Sequence, residues 1–359
     1  MTTVLISGAG VAGATLAYWL ARHGFRPTVV ERAEGLRSSG NPVDVRGPAM
    51  PVAEAMGIVP QLRAAATQAT AMRLVDAAGR QITRIRMPAD VELPRADLAA
   101  ILHDAASEKA EFIFDDTITA LHQDDGGVDL TFQRTAPRRF DLVIGADGLH
   151  SIVRRLVFGP EQDFIRHLGL YVATLPLGEP SDPPSDVLLY NTPGRLTSIH
   201  PARGNALAAF IFRGPAMPDL NYRDIARHRQ IVTSAYAGAG WRVPELLARL
   251  DRSDDFYFDA VSKVDLPTWS RGRVTLLGDA ASCVSLLGDG SSLAITAAHT
   301  LASALATHAD HTDAFRRYEA QHRTLVRPKQ RYAGRAAALL VPSTRLGLGV
   351  RNLAARFLP

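Results

Sequence analysis

The strongest constraint on the fold is a glycine-rich segment between a short strand and a helix. Residues 3–7 (TVLIS) are mostly apolar and β-branched, and residues 8–13 (GAGVAG) follow them directly. Apolar residues then recur at helical spacing until Gly24, and a second strand over residues 27–30 (PTVV) is followed by Glu31. This order predicts a βαβ unit with two parallel strands at the start of an α/β domain.

Each glycine of this pattern meets a physical requirement. Gly8 permits the tight turn, Gly10 lets a pyrophosphate approach the backbone, and Gly13 allows close packing of helix on strand. Ala12 lies in the first turn of the helix, whose N-terminus favours phosphate groups. Glu31, 18 residues after Gly13, can accept hydrogen bonds from an adenosine ribose. We predict a dinucleotide site, and the pattern alone leaves NAD and FAD open.

Composition limits the class of protein. The chain has 359 residues, of which 47% are hydrophobic and 21% charged, which indicates a globular protein of about two domains. The net charge is +4 and the basic residues form no long run, so no nucleic-acid surface is expected. The single Cys283 excludes an intrachain disulfide and favours a cytoplasmic location. No apolar stretch is long enough for a transmembrane helix, and no signal peptide is predicted.

Patterns further along the chain alternate between strand and helix. Residues 72–94 predict a β-hairpin, and residues 168–213 predict an antiparallel sheet. The segment that begins with Arg95 is helical in its periodicity, and strand and helix return after residue 270. We therefore predict an α/β nucleotide-binding domain with a sheet domain inserted into it.

Two later strands each end in a glycine and an aspartate. Asp147 and Gly148 follow the strand in residues 141–154 (DLVIGADGLHSIVR), and Gly278 and Asp279 follow the one in residues 269–281 (WSRGRVTLLGDAA). With these motifs in this order, the chain resembles the class A FAD-dependent flavoprotein monooxygenases, the para-hydroxybenzoate hydroxylase-like family. Within that family it resembles the branch of aromatic polyketide hydroxylases and tetracycline-modifying enzymes. The resemblance implies that FAD occupies the dinucleotide site.

The resemblance also implies a role for each motif residue. Glu31 would hold the adenosine ribose, with Arg32 beside the adenine. Arg95 would reach the phosphate and ribityl region, and Asp279 would bind the ribityl chain. Asp147 would support the flavin and the passage of the nicotinamide donor. The implied cofactor-binding residues are Gly8, Gly10, Ala12, Gly13, Glu31, Arg32, Arg46, Arg95, Asp147, Gly278, Asp279, Gly290, Ser291 and Ser292.

The flavin ring is expected to lie between two loops. The loop before Arg46 would flank the mobile ring, and Arg46 could steady the reduced flavin or a docked nicotinamide phosphate, the alternative being a solvated surface arginine. The N–H groups of Gly290, Ser291 and Ser292 would face the pyrimidine edge. Residues 285–287 (SLL) depart from the prolines that many family members carry there. Cys283 in the same loop is predicted to be a small buried apolar residue.

The implied architecture is a Rossmann-like FAD-binding domain of the glutathione reductase-like βαβ type, with an inserted antiparallel-sheet substrate domain and a C-terminal helix. The predicted bounds are residues 1–72, 95–165 and 266–330 for the discontinuous FAD-binding domain, 73–94 and 166–265 for the substrate domain, and 331–359 for a C-terminal helical segment packed on the FAD-binding domain. The alternative for this basic and partly amphipathic segment is a role at a membrane surface.

The resemblance implies an NAD(P)H-consuming monooxygenase that inserts one atom of O2 through a C4a-hydroperoxyflavin into a cyclic, aromatic or polyketide-like small molecule. NAD(P)H would bind transiently, because the chain has no second G-x-G-x-x-G pattern. No protein nucleophile is predicted, since the cofactor supplies the difficult chemistry. The histidines lack metal-ligand spacing, so no metal is expected. The protein could be a monomer or a homodimer.

Other functions stay open at this point. A Baeyer-Villiger oxygenase or an epoxidase could use the same fold, and a cyclase or isomerase could keep FAD as a scaffold without net redox chemistry. Residues 285–287 are the feature that favours this last alternative. A flavin-binding regulatory protein without turnover is a further one. His200, Tyr190 and Arg213 lie in the predicted sheet and are taken as ordinary strand residues.

Overall fold

The predicted N-terminal βαβ unit is present in the computed structural model, with β1 at Thr3–Ser7, α1 at Val11–Arg22 and β2 at Arg26–Val30. The structure describes residues 1–36, 42–87, 91–202, 204–217, 220–222, 224–253, 255–284 and 289–355.

The remaining strands are β3 Val43–Val45, β4 Ala71–Val75, β5 Gln81–Arg86, β6 Val91–Leu93, β7 Glu111–Ile113, β8 Ile118–Asp124, β9 Gly127–Phe132, β10 Arg138–Phe140, β11 Leu142–Gly145, β12 Ile165–Pro176, β13 Asp186–Thr192, β14 Arg195–His200, β15 Leu207–Arg213, β16 Tyr257–Val264, β17 Ser270–Arg271 and β18 Val274–Leu276. The remaining helices are α2 Ala49–Met56, α3 Val59–Ala65, α4 Arg95–Ser107, α5 Ile152–Val157, α6 Ile225–Ala235, α7 Val243–Leu250, α8 Asp279–Ser282, α9 Gly290–Thr307, α10 His311–Leu340 and α11 Arg345–Ala355.

A mostly parallel sheet carries all three sequence motifs. Among the described residues its strand order is β17-β18-β11-β1-β2-β7. The two strands next to β1 pair with it in parallel, with Leu5 opposite both Val143 and Thr28. Parallel strands covered on both faces are typically continuous apolar runs, which explains the sequences TVLIS and LVIG. The carboxyl ends of β1, β11 and β18 therefore meet at one edge of the sheet.

A second large sheet has the described strand order β16-β12-β15-β14-β13-β4-β5. The hairpin predicted within residues 72–94 is its β4–β5 edge, and its turn contains Gly79 at φ +78°. The pairings among the five strands from β12 through β16 are antiparallel, as predicted for this region. Strands β13 and β4, in contrast, pair in parallel. This pair joins two distant chain segments, so no hairpin fixes its direction.

The two faces of this second sheet are covered by different helices. One face forms a core with α6 and α7 that includes Phe210, Val232 and Leu246. On the other face, Ala337 and Val341, at the end of α10, pack with Leu196. The sequence predicts that residues 331–359 pack on the FAD-binding domain. Ala333 of this segment belongs to the core around the parallel sheet, whereas Ala337 and Val341 lie against the second sheet. The predicted domain bounds themselves stay a prediction.

Two small sheets complete the described strands. Strands β8, β9 and β10 form an antiparallel sheet beside the parallel one, and β3 pairs with β6 in antiparallel register, with Val43 opposite Leu93. The second pair lies next to the start of α4, which begins at Arg95. None of the described helices combines the length and the apolar character needed to cross a membrane.

Candidate functional site

The glycine turn between β1 and α1 leaves open space at one position. Gly10 is exposed, and a Cβ atom built on it would meet no atom within 4 Å. It directly precedes α1, whose first turn contains no acidic side chain. The N–H groups in the first turn of a helix have no partner within the helix, so this end of α1 favours an anion.

Four other small residues serve close packing. Gly8 has φ +104°, and a Cβ atom there would lie 2.5 Å from the carbonyl oxygen of Ala146. A Cβ atom on Gly13 would overlap the carbonyl oxygen of Gly8, and one on Gly278 would lie 3.0 Å from the Cβ of Ala12. Small side chains here bring the start of α1 against the carboxyl ends of β11 and β18.

Glu31 lies at the end of β2, beside the glycine turn. Its Oε2 accepts a hydrogen bond from the N–H of Ala9 at 3.0 Å, and its Oε1 accepts one from the N–H of Ala33 at 2.9 Å. The carboxylate therefore orders the turn, and each oxygen keeps a further lone pair for a ligand. Arg32, next to it, is exposed. Ribose and adenine binding by these two residues stays a prediction.

Asp147 is largely engaged by the protein itself. Its Oδ2 accepts hydrogen bonds from the N–H of Ile152 at 2.8 Å and from the hydroxyl of Ser7 at 3.3 Å, and its Oδ1 accepts one from the hydroxyl of Ser151. Burial raises the pKa of Asp147, although the hydrogen bonds from Ser151 and Ile152 oppose the shift. The carboxylate thus ties the start of α5 to β1, while its predicted role toward the flavin is untested.

Asp279 and Arg95 are 184 positions apart in the chain, yet they lie near enough for the charge of Arg95 to act on the carboxylate. Asp279 is the first residue of α8 and is half-buried, and Arg95 is the first residue of α4. Burial raises the pKa of Asp279, and the charge of Arg95 and a hydrogen bond from Cys283 partly oppose this. Cys283 itself is buried, as the sequence predicts.

The start of α9 presents backbone N–H groups. The hydroxyls of Ser291 and Ser292 donate to the carbonyl oxygen of Asp44 at 2.7 and 2.8 Å and so anchor α9 to β3. The side chains are thus used for packing, and the N–H groups of Gly290, Ser291 and Ser292 belong to the first turn, where no carbonyl of the helix can accept them. This helix end can stabilise negative charge.

Arg46 is neither a solvated surface arginine nor a freely mobile charge. It pairs with Asp289 at 2.8 Å, and Lys329 contacts the same carboxylate at 2.5 Å. Burial would raise the pKa of Asp289, but hydrogen bonds from Lys329 and Arg46 outweigh it and lower the pKa. Arg46 therefore fastens its loop to the start of α9. Residues 285–288 and 37–41, on which the loop predictions partly depend, lie outside the described residues.

These features together fit an FAD. The open space at Gly10 and the start of α1 suit a pyrophosphate, and the carboxylate of Asp279 suits a hydroxylated ribityl chain beside Arg95. The start of α9 suits the electron-rich pyrimidine edge of a flavin. Roles of individual residues toward the cofactor stay predictions.

A cluster around His150 was not singled out from the sequence. Its Nδ1 lies 2.9 Å from Oε1 of Glu161, its Nε2 lies 3.3 Å from Oδ1 of Asp259, and its ring packs on Tyr222. Burial lowers the pKa of His150, but the two carboxylates outweigh it and raise the pKa to about 9. Tyr257 donates to the other oxygen of Asp259 at 3.0 Å. Only the position of His150 two residues after Gly148 could have signalled this cluster.

Asp259 also connects the site to the second sheet. It is paired with Val172, which is paired with Ile211, so the three side chains form one row across β16, β12 and β15. Val172, Ile211 and Leu189 are apolar and half-buried. This face lies opposite the core formed with α6 and α7. Its apolar residues pack against the cluster that contains Ala337 and Val341 and stay only half-buried, so their exposed part can contact an apolar molecule beside the His150 cluster.

The three polar strand residues take different places. The Nε2 atom of His200 forms a hydrogen bond of 3.0 Å with the hydroxyl of Ser198. Burial lowers the pKa of His200 to about 4, so its ring is neutral near pH 7. Tyr190 packs on Trp241 in the core with α7. Arg213 donates to the carbonyl oxygen of Val341 at 2.7 Å. Within the described ranges, no group of histidine, cysteine or carboxylate residues could hold a metal ion.

Comparison with known proteins supports a flavin-binding fold. Residues 1–327 match the family model of the FAD binding domain. An uncharacterised protein of Mycobacterium tuberculosis is 39% identical, over 92% of each chain. A flavin-dependent monooxygenase of an unknown prokaryotic organism is 36% identical, over 88% of this chain and 84% of the relative.

The fold is also similar to solved structures. The crystal structure of the tetracycline destructase Tet(55) superimposes with a TM-score of 0.87 and 32% sequence identity, covering 100% of this chain and 98% of that chain.

Proposed function

The chain belongs to the class A flavin-dependent monooxygenases, and we propose a reaction for it. The protein would transfer one oxygen atom from O2 to a cyclic, aromatic or polyketide-like small molecule. NADH or NADPH, the electron donor typical of the family, would supply two electrons. One oxygen atom would enter the substrate. The other would leave as water, with one proton from the hydride of the donor and one from solvent.

FAD, when bound, supplies the electron transfer and the activation of O2. The protein residues would bind and orient it. The start of α1 at Gly10 would receive the pyrophosphate, Asp279 would accept hydrogen bonds from the ribityl hydroxyls, and Arg95 would neutralise nearby negative charge. The N–H groups of Gly290 and Ser291 would stabilise negative charge at the pyrimidine edge.

The row from Asp259 through Val172 to Ile211 is the observation that carries the substrate proposal. It places a half-buried apolar surface next to the charged His150 cluster at the edge of the cofactor site. An apolar ring system with a few polar substituents matches such a surface, because the apolar face buries the rings and the polar groups fix orientation. The name of the similar tetracycline destructase agrees with a polycyclic substrate.

The proposal is tested by purifying the protein, recording its flavin absorbance, and measuring NADH and NADPH oxidation with and without tetracycline or a panel of phenolic polyketides. We expect a yellow protein whose NAD(P)H oxidation is stimulated by a polycyclic phenol, with one isotopically heavy oxygen from labelled O2 in the product. A product of unchanged mass would contradict oxygen transfer. If no compound of the panel stimulates NAD(P)H oxidation, the proposed substrate class is contradicted. NMR of the product separates hydroxylation from epoxidation and ring expansion.

A further inference from the structure

Helix α11 presents its apolar residues to solvent. Leu346, Val350 and Leu353 are 80%, 63% and 57% exposed. They are spaced four and three residues apart, so they share one face of the helix. The opposite face carries Arg351, which donates to Oδ1 of Asn191 at 3.0 Å. A surface helix of a globular protein normally has the reverse arrangement, with its apolar side facing inward.

The last turns of α10 expose apolar side chains as well. Tyr332 is 58% and Leu339 65% exposed. The guanidinium of Arg335 lies 5.9 Å from the centre of the Tyr332 ring. Arg331, one helical turn before Arg335, is exposed as well. We call the exposed residues of both helices the C-terminal surface, which consists of Arg331, Tyr332, Arg335 and Leu339 of α10 and Arg345, Leu346, Val350 and Leu353 of α11.

Charge distinguishes the partners that could cover this surface. Residues 320–359 contain no Asp or Glu, and their basic residues are Arg323, Arg327, Lys329, Arg331, Arg335, Arg345, Arg351 and Arg356. A second copy of the chain would bring the same positive charge against itself, which disfavours association. An anionic lipid surface offers charge of the opposite sign together with an apolar layer for the leucines.

We propose that the C-terminal surface attaches the enzyme peripherally to an anionic lipid bilayer. The leucine, valine and tyrosine side chains would enter the boundary between headgroups and acyl chains, and Arg331, Arg335 and Arg345 would contact anionic headgroups. Because α11 contacts the second sheet through the hydrogen bond of Arg351 with Asn191, attachment would hold that sheet close to the lipid surface.

The test is co-sedimentation of the full-length flavoprotein with vesicles of phosphatidylcholine, alone or mixed with phosphatidylglycerol. We expect binding to the mixed vesicles only, weakening as salt is raised. The double variant Leu346→Ser with Leu353→Ser should lose about tenfold in affinity, and so should Arg331→Gln with Arg335→Gln. Ile225→Ser is the matched control, because Ile225 is 44% exposed on α6, across the sheet.

The remaining outcomes also decide the proposal. Exposed side chains contribute little to folding, so the double variants should keep the thermal stability of the parent. Equal binding to both vesicle types, or unchanged binding by both double variants, would overturn it. So would light scattering that shows a dimer in solution which the leucine double variant converts to a monomer, since a second copy would then cover the surface.

Discussion

At the scale of single residues, the glycines of the first turn divide into two kinds. Gly13 and Gly8 are required by the protein, because a Cβ atom on either would meet backbone atoms of the protein itself. Gly10 has an ordinary φ of −72° and open space around it, so the folded chain alone does not require glycine there. We expect the requirement for glycine at this position to come from a bound pyrophosphate.

We therefore predict that Gly10→Val yields a folded protein without flavin. The branched side chain would occupy the approach of the pyrophosphate, while its Cβ atom would meet no protein atom within 4 Å. Thermal unfolding of the apoprotein should match the parent, and flavin absorbance after purification should be lost. Gly13→Ala is the control and should lower soluble yield, because its methyl group overlaps the Gly8 carbonyl. Full flavin absorbance in Gly10→Val would refute the phosphate turn.

His150 gives a pH-dependent prediction. Its pKa of about 9 lies above the unfolded value of about 6.5, so its charged form stabilises the fold, fully below pH 6.5, and this contribution is lost as pH rises through 9. His150→Gln should therefore cost on the order of 2 kcal/mol in unfolding free energy at pH 6. Urea unfolding should show the parent and variant converging by about pH 10. A difference that does not change with pH would contradict the ion pairs with Glu161 and Asp259.

At the scale of elements, Asp186 holds together the parallel pair that the sequence did not predict. It is the first residue of β13, is fully buried, and pairs with Arg73 of β4 at 2.6 Å and Arg84 of β5 at 2.9 Å. Hydrogen bonding to Arg84 is the main cause that lowers the pKa of Asp186, against burial. One carboxylate thus fixes the hairpin to the rest of the second sheet.

We predict that Asp186→Asn lowers the unfolding free energy by about 1–3 kcal/mol at pH 7, because the two arginines lose the negative charge and one of the two acceptor oxygens of the carboxylate. The pKa of Asp186 is lowered in the folded state, so the stabilisation is present above about pH 4 and is lost as pH falls through the folded pKa. Urea unfolding at pH 7 and at acidic pH measures both effects. Asp313→Asn, in an exposed pair with Arg316, should change stability by less than about 0.5 kcal/mol. Equal effects of the two substitutions would contradict this role.

At the scale of the whole molecule, the parallel sheet and the second sheet meet through His150 and Asp259, and the chain ends on the second sheet. Val341 and Ala337 are buried there, and the carbonyl oxygens of Val341 and Pro342 accept hydrogen bonds from Arg213 and from the N–H of Gly194. The C-terminal segment therefore covers part of the sheet that carries the proposed substrate surface.

Deletion of residues 334–359 should accordingly give insoluble or unstable protein, because it exposes the face covered by Ala337 and Val341. A shorter deletion that removes residues 344–359 keeps both residues and the two carbonyl groups, so it should remain folded. Soluble yield and thermal unfolding measure the difference. A soluble and fully active product of the longer deletion would show that the segment is only an appendage.

Elements that depend only on neighbouring residues can be predicted from the amino-acid sequence. The strand before Gly8, the helix after it, the turn at Gly79 and the helix beginning at Arg95 follow from local periodicity and from backbone conformations that glycine favours. The order of the three motifs was enough for the family and its cofactor, because those motifs combine fixed residue types with fixed strand ends.

Contacts between side chains that are distant in the sequence depend on how the sheets and helices are arranged in the folded chain. The pairing of His150 with Asp259, of Arg46 with Asp289, and of β13 with β4 each joins residues more than a hundred positions apart. The outward apolar face of α11 likewise depends on where the helix lies, since periodicity defines a face but not its direction. Such contacts are fixed by sheet order and helix packing, which no local pattern encodes.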